Sequence, residues 1–242
     1  FEEWNARNKK VRRGPFRNVS AMFGPDTPER VVVGAHYDAY GPYPAADDNG
    51  SGTAALRELA CLLAKNPPPI QVELVAYTLE EPPSYGNDEM GSVRHAKALK
   101  ASGTRVRAML SLETMGYFSD ERGSQGYPIP LLKLFYPSAG NFITVVGRFG
   151  DAALTRAVKR QMRRASDLPV YSINAPDTVP GIDYSDHRSY WAEGWPAVMI
   201  SDTAFYRNRR YHTAEDLPET LDYRRMAKVV DGVFAALQSF KP

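Results

Sequence analysis

Short apolar runs and helical stripes take turns along this chain. Residues 30–35 (RVVVGA) form a β-branched run, and residues 70–78 (IQVELVAYT) alternate apolar and polar positions, so both predict strands. Residues 105–112, 141–146 and 197–200 predict three more. Between them, apolar positions recur at helical spacing in a segment that starts near Ser51 and includes residues 56–64, and again over 91–101, 152–164 and 223–240. Strand and helix in alternation imply an α/β fold, a largely parallel sheet with helices on both faces. No repeat and no Gly/Ser-rich linker interrupts the pattern, so residues 1–242 are expected to form a single domain. Two stretches, 117–140 and 166–185, carry Pro, Gly, Tyr and Ser without a clear period. Long irregular segments in a folded domain tend to be binding loops, and these are expected to wall a substrate cleft.

Composition narrows the picture only a little. The chain is 43% hydrophobic and 24% charged, as ordinary globular domains are, and its net charge of +2 selects no partner. A basic run at Lys9, Lys10, Arg12 and Arg13 has no aromatic platform beside it and is expected to be solvated surface, not a nucleic-acid site. The single cysteine, Cys61, excludes an intrachain disulfide and any Cys-rich zinc site, and its apolar helical setting predicts a buried thiol. No apolar run approaches the roughly 20 residues that span a bilayer. The chain opens at Phe1 without a methionine, which suggests a trimmed upstream segment and leaves the compartment open.

Candidate chemistry gathers just past the strand ends, where open α/β sheets collect catalytic groups. His36 follows RVVVGA, Glu80 and Glu81 follow the second run, and Glu113 follows AMLSL. In His36-Tyr37-Asp38, alternate residues point the same way, so Asp38 could accept from the far imidazole nitrogen and fix a metal-binding tautomer; the same pair also suits a plain surface contact. The run Ala46-Asp47-Asp48-Asn49-Gly50-Ser51-Gly52 reads either as an acidic turn with a helix cap or as a turn that holds a carboxylate between cations. Adjacent Glu80 and Glu81 repel each other unless a positive charge intervenes; one could bind metal while the other serves as general base. His212 lies in a polar segment before the last helix. Imidazoles and carboxylates without thiolates suit zinc, with manganese or cobalt as alternatives.

Taken in order, His36-x-Asp38, the 46–52 run, Glu80-Glu81, Gly91-Ser92, Leu112-Glu113-x-x-Gly116-Tyr117, Ser185-Asp186-His187 and Tyr211-His212-Thr213 resemble the co-catalytic di-zinc exopeptidases. That family includes bacterial leucyl aminopeptidases, with glutamate carboxypeptidases, glutaminyl cyclases and the non-catalytic transferrin receptor as relatives. The resemblance runs from Asn18 to the C-terminal helix. It implies the three-layer, mostly parallel mixed sheet of the zinc exopeptidase fold and two Zn2+ per chain. His36 and Glu113 would hold one ion and Glu81 and His212 the other, with Asp48 bridging them. Asp38 would orient His36, Glu80 would be the general base, and the Tyr211 phenol would polarise the scissile carbonyl. The resemblance also implies a cis Asp48–Asn49 peptide. It departs from the best-known aminopeptidases at Glu113, where they carry Asp, and in the longer segment 82–90.

The function so implied is a zinc exopeptidase of aminopeptidase type acting on peptides, with a secreted or periplasmic location favoured. A free substrate amine would complete the coordination of one metal or pair with Asp88 or Glu89. A carboxypeptidase is the alternative, with Arg207, Arg209 and Arg210 meeting a substrate carboxylate. A glutaminyl cyclase or a binding domain on the same fold are further alternatives, the last disfavoured by the intact ligand set. Tyr117, Phe118, Tyr127 and Tyr206 are expected to line an apolar pocket. His187 is read as structural or substrate-lining, and His95 as ordinary surface or core.

Overall fold

The computed structural model describes residues 15–241 together with the backbone of residues 2–4. The basic run at Lys9, Lys10, Arg12 and Arg13 lies outside the described residues. The strands are β1 (Glu2–Trp4), β2 (Phe16–Phe23), β3 (Glu29–His36), β4 (Gln71–Tyr77), β5 (Arg105–Glu113), β6 (Ile143–Gly147), β7 (Val170–Asn174) and β8 (Ala197–Ser201). They pair in the order β1-β2-β4-β3-β5-β8-β6-β7. The centre, β4-β3-β5-β8, is parallel; β2 on β4 and β6 on β8 are antiparallel. The helices are α1 (Gly52–Lys65), α2 (Gly91–Ala101), α3 (Ala152–Ala165), α4 (His187–Ala192) and α5 (Tyr223–Gln238).

The period-2 pattern of the central strands explains the three layers. In β3, Val31 and Val33 join Leu56, Leu59 and Leu63 of α1, Val158 and Met162 of α3, and Val229 and Val233 of α5 in one core. Val32 points the other way, into a second core with Ala96 and Leu99 of α2 and Tyr190 and Trp191 of α4. Residues 31–36 are all buried, as a strand covered on both faces should be. Each such aliphatic contributes about 1.5–3 kcal/mol by burial, and a one-residue slip would exchange the two faces, so the register of β3 is firmly set.

Four elements lie outside the expected set: the three-residue β1, and β2, β7 and α4. The strand β2 carries Val19 and Met22 half in solvent, so its apolar alternation is weak. The strand β7 and helix α4 are only five and six residues long, and the first lies in the Pro- and Ser-rich stretch that showed no period. One expectation is corrected: Cys61 is exposed. The buried positions of α1 include Leu56, Leu59 and Leu63, and Cys61, two residues beyond Leu59, falls on the opposite face of the helix. Among the described residues, no helix is long and apolar enough to cross a membrane.

Candidate metal centre

Because β4, β3 and β5 are adjacent and parallel, their C-terminal ends form one edge. His36 is the last residue of β3 and Glu113 the last of β5, while Glu80 and Glu81 follow β4. The fourth contributor is the turn at Ala46–Ser51, which leads into α1. It is tied down from several sides. The Asn49 amide donates to the Leu112 carbonyl (2.8 Å), and its Oδ1 accepts from the Gly52 amide (3.0 Å). Gly52 permits this approach, since a Cβ there would stand 2.4 Å from Asn49 Oδ1 and 2.6 Å from the Leu112 carbonyl oxygen. Asp47 accepts from the Gly116 amide (3.0 Å) and from Asn208 Nδ2 (2.9 Å). Asp216, which sequence reasoning missed, accepts from the backbone amides of both Asp47 and Asp48. It lies four residues past His212 with no strand or motif to mark it. The Asp48–Asn49 peptide is cis, as is Pro82–Pro83.

Held this way, Asp48 stands between two imidazoles. Its Oδ1 lies 3.2 Å from His36 Nε2 and its Oδ2 2.8 Å from His212 Nε2. Glu113 Oε2 is 3.4 Å from His36 Nε2, and Glu81 Oε1 is 3.1 Å from His212 Nε2. Glu80 Oε2 comes within 3.8 Å of His36 Nε2. Two donor sets result, His36–Asp48–Glu113 and Asp48–Glu81–His212, each with its ligand atoms within 4.8 Å of one another. Both oxygens of Asp48, Glu81 Oε1 and His212 Nε2 are buried, yet none makes a hydrogen bond. Buried polar atoms rarely go unpartnered, and a cluster of four carboxylates facing two imidazoles fits divalent cations. Tyr211 stacks on His212 at 3.9 Å and 16°.

The electrostatics carry the strain of so many like charges. Burial above all pushes Glu113 up to about 8, against the pull of His36. Glu80 sits well above the usual carboxylate range, chiefly from burial; His36 opposes this, and Glu113, Asp186 and Glu81 add to it. Burial would also raise Asp48, but His212 and His36 against its oxygens hold it below its ordinary value. Burial disfavours a charged His212, yet Asp48 and Glu81 outweigh it and raise the imidazole to about 9.

The link from Asp38 to His36 differs in detail from expectation. His36 Nδ1 is 3.1 Å from the backbone carbonyl of Asp38 and 3.7 Å from its carboxylate, so the carbonyl is the hydrogen-bond partner. The carboxylate accepts instead from the backbone amides of Glu80 (3.1 Å) and Glu81 (3.0 Å), which fixes the segment carrying both glutamates. Ser185 Oγ donates to Glu113 Oε2 (2.7 Å).

Beside the centre lies an apolar cavity of about 770 Å3, counting its open mouth, with Glu113 and Tyr211 in its wall. Tyr127, Tyr136, Ile173, Tyr184, Phe205 and Tyr206 line it, so both irregular stretches do contribute walls. Of the four aromatics expected there, Tyr127 and Tyr206 take part. Phe118 packs on the main core and Tyr117 lies against Arg210. Asp88 is exposed and pairs with Lys97, and Glu89 is buried against Arg94, so both are committed to cations of α2. Arg207 is buried and held by Gln125 Oε1 (2.8 Å) and the Tyr117 carbonyl (3.1 Å), a structural role. His187 is buried, with Nε2 on the Ile182 carbonyl (2.8 Å), and His95 is a core residue between Glu73 and Tyr190.

The model of Peptidase family M28 matches residues 18–237. An Escherichia coli protein named "Uncharacterized protein YfbL" is 47% identical over 236 residues, covering 94% of this chain and 72% of its own length. A "Probable leucine aminopeptidase" of Trichophyton verrucosum is 30% identical over 234 residues, covering 91% of this chain. The chain spans only 55% of that fungal protein. Among solved structures, a zinc aminopeptidase from Bacillus subtilis superposes with a TM-score of 0.66 at 23% identity, covering 90% of this chain and 48% of its own, which shows a shared fold.

Proposed function

The chain belongs to peptidase family M28, and on that premise we propose that it is a zinc-dependent aminopeptidase, residues 1–242 forming one catalytic domain. The observation that carries this reading is Asp48, whose two buried oxygens face one imidazole each and make no hydrogen bond. His36 and Glu113 would hold one zinc, Glu81 and His212 the other, and Asp48 both. Two divalent ions so placed would lower the pKa of a shared water and polarise the scissile carbonyl.

The chain's own side chains would do the rest. Glu80 belongs to neither donor set but lies beside them, its Oε2 3.8 Å from His36 Nε2; it would take the water's proton and return it to the leaving amine. Burial is the main reason the Tyr211 phenol is held far above its ordinary value. It therefore stays protonated and would donate to the developing oxyanion, an interaction often worth about 3–4 kcal/mol. The apolar cavity between Glu113 and Tyr211 would take the side chain of the amino-terminal residue. Its aromatic lining favours a large apolar one.

The carboxypeptidase alternative loses one of its three arginines, because Arg207 already serves Gln125 and the Tyr117 carbonyl. Metal analysis of the purified protein, with hydrolysis of aminoacyl-nitroanilides against amino-blocked dipeptides, tests the reading. Two zincs per chain and cleavage only of free-amine substrates is the expected result. Cleavage of blocked dipeptides would make the enzyme a carboxypeptidase, and no zinc with no turnover would overturn the proposal.

A further inference from the structure

His36 and His212 differ in how their rings are held. The His36 ring is 1% exposed, and its Nδ1 rests on a backbone carbonyl. The His212 side chain is 24% exposed, sits on a loop, and has a backbone φ of 60°. Metal-binding imidazoles almost always have the far nitrogen fixed by a hydrogen bond. Among the described residues, none is recorded for Nδ1 of His212. What it has instead is a ring on each side. Tyr211 stacks on it at 3.9 Å and 16°, and Tyr40 at 4.1 Å and 4°.

We propose that Tyr40 is a positioning residue for the second zinc, clamping the His212 imidazole against Tyr211 so that Nε2 stays between Asp48 and Glu81. This inference rests on the two-zinc reading above. Near-parallel rings at this spacing are in van der Waals contact over their faces, which restricts rotation of the imidazole about its last side-chain bond. A ring free to turn would take Nε2 out of reach of Asp48 Oδ2 and Glu81 Oε1, now 2.8 and 3.1 Å away. The clamp needs a flat ring at residue 40 and does not need its hydroxyl. Tyr40 follows β3 by four residues and is about one-third exposed, so its truncation leaves both cores intact. Tyr43, whose ring is 6.2 Å from that of Tyr40, makes no recorded stack with His212 and serves as the control.

The test has two readouts. Zinc affinity is measured by chelator competition on the metal-stripped protein. Proton NMR of the same metal-free protein follows the His212 ring protons, which two flanking aromatic faces shift upfield. Tyr40→Ala is expected to weaken one of two zinc sites by about ten- to a hundredfold, the range for lost supporting contacts, and to leave the other unchanged. The His212 signals should move downfield in the same variant. Tyr40→Phe should retain both properties, and Tyr43→Ala should leave both zinc sites as they are. Unchanged zinc affinity in Tyr40→Ala, an equal loss at both sites, or failure of Tyr40→Phe to restore the affinity overturns the inference while the wild type still binds two zincs. A wild-type protein that takes up no zinc is a different failure, that of the proposed function itself, and the affinity claim falls with it.

Discussion

His36 and His212 aim Nε2 at opposite oxygens of one aspartate, yet they arrive there by different routes. His36 ends a central strand whose last six residues are buried, and its neighbours in the sheet bring Glu113 and the Glu80–Glu81 pair alongside. Ser185, just before α4, adds a hydrogen bond to Glu113. His212 has no strand beneath it. It is half-buried on a loop that Asp216 and Asn208 tie to the acidic turn, and its ring is held by stacking. The contrast teaches that a site with near-twofold chemistry need not have twofold support. One half inherits rigidity from the core, whereas the other must build its own.

The largest effect is expected from removing the residue that both halves share. Asp48→Asn is expected to abolish stoichiometric zinc uptake at both positions, and hydrolysis with it, in metal analysis and a nitroanilide assay. The metal-free variant should also melt lower than the metal-free wild type, because the ionised carboxylate that His36 and His212 favour in the folded chain has been neutralised. Next in size, Glu80→Gln should lower kcat by about 10²–10⁴-fold while two zincs remain bound, since a base is lost and no ligand is. Ser185→Ala should then separate the halves. Loss of its hydrogen bond to Glu113 is expected to weaken the His36 site by about tenfold or more and spare the His212 site, the mirror image of Tyr40→Ala.

A further effect, on stability and not on zinc affinity, is one of pH. Burial, with a lesser push from Arg188, holds the buried His187 down to about 4 from an ordinary 6.5. Between those values the unfolded chain binds the proton that the folded chain refuses, so stability is full above pH 6.5 and falls as pH drops towards 4. The loss amounts to at most about 3 kcal/mol. Denaturant titrations across this range should show it, and His187→Gln should flatten the slope. Because Ser185 precedes the same helix, acid should also loosen the His36 half first, visible as earlier amide exchange near residues 185–192.

Legibility in the sequence followed the same division. The strands β3, β4 and β5 show as β-branched or alternating runs because burial on one or both faces demands it, and the chemistry at their ends could be read from position alone. The 46–52 turn was legible as acidic, but its bridging role came from the family resemblance. Elements that owe their place to tertiary contacts left little trace. The strand β7 is five residues within a Pro- and Ser-rich stretch, and α4 is a helix of six. Tyr40 and Asp216 have no periodic signal, since a stacking ring or a carboxylate that caps two amides is specified by what lies opposite. Asp88, Glu89 and Arg207 were misjudged for the converse reason. Proximity in sequence to a ligand does not show which way a long side chain turns, and all three turn to partners of their own.

Cys61 closes the circle in a practical sense. It is the chain's single thiol, and it faces outward on α1, the helix that begins where the acidic turn ends. A thiol-reactive dye would therefore mark each molecule once, on a rigid element, away from both cores. Energy transfer from that address to a labelled peptide would time substrate arrival and departure without altering any residue of the centre.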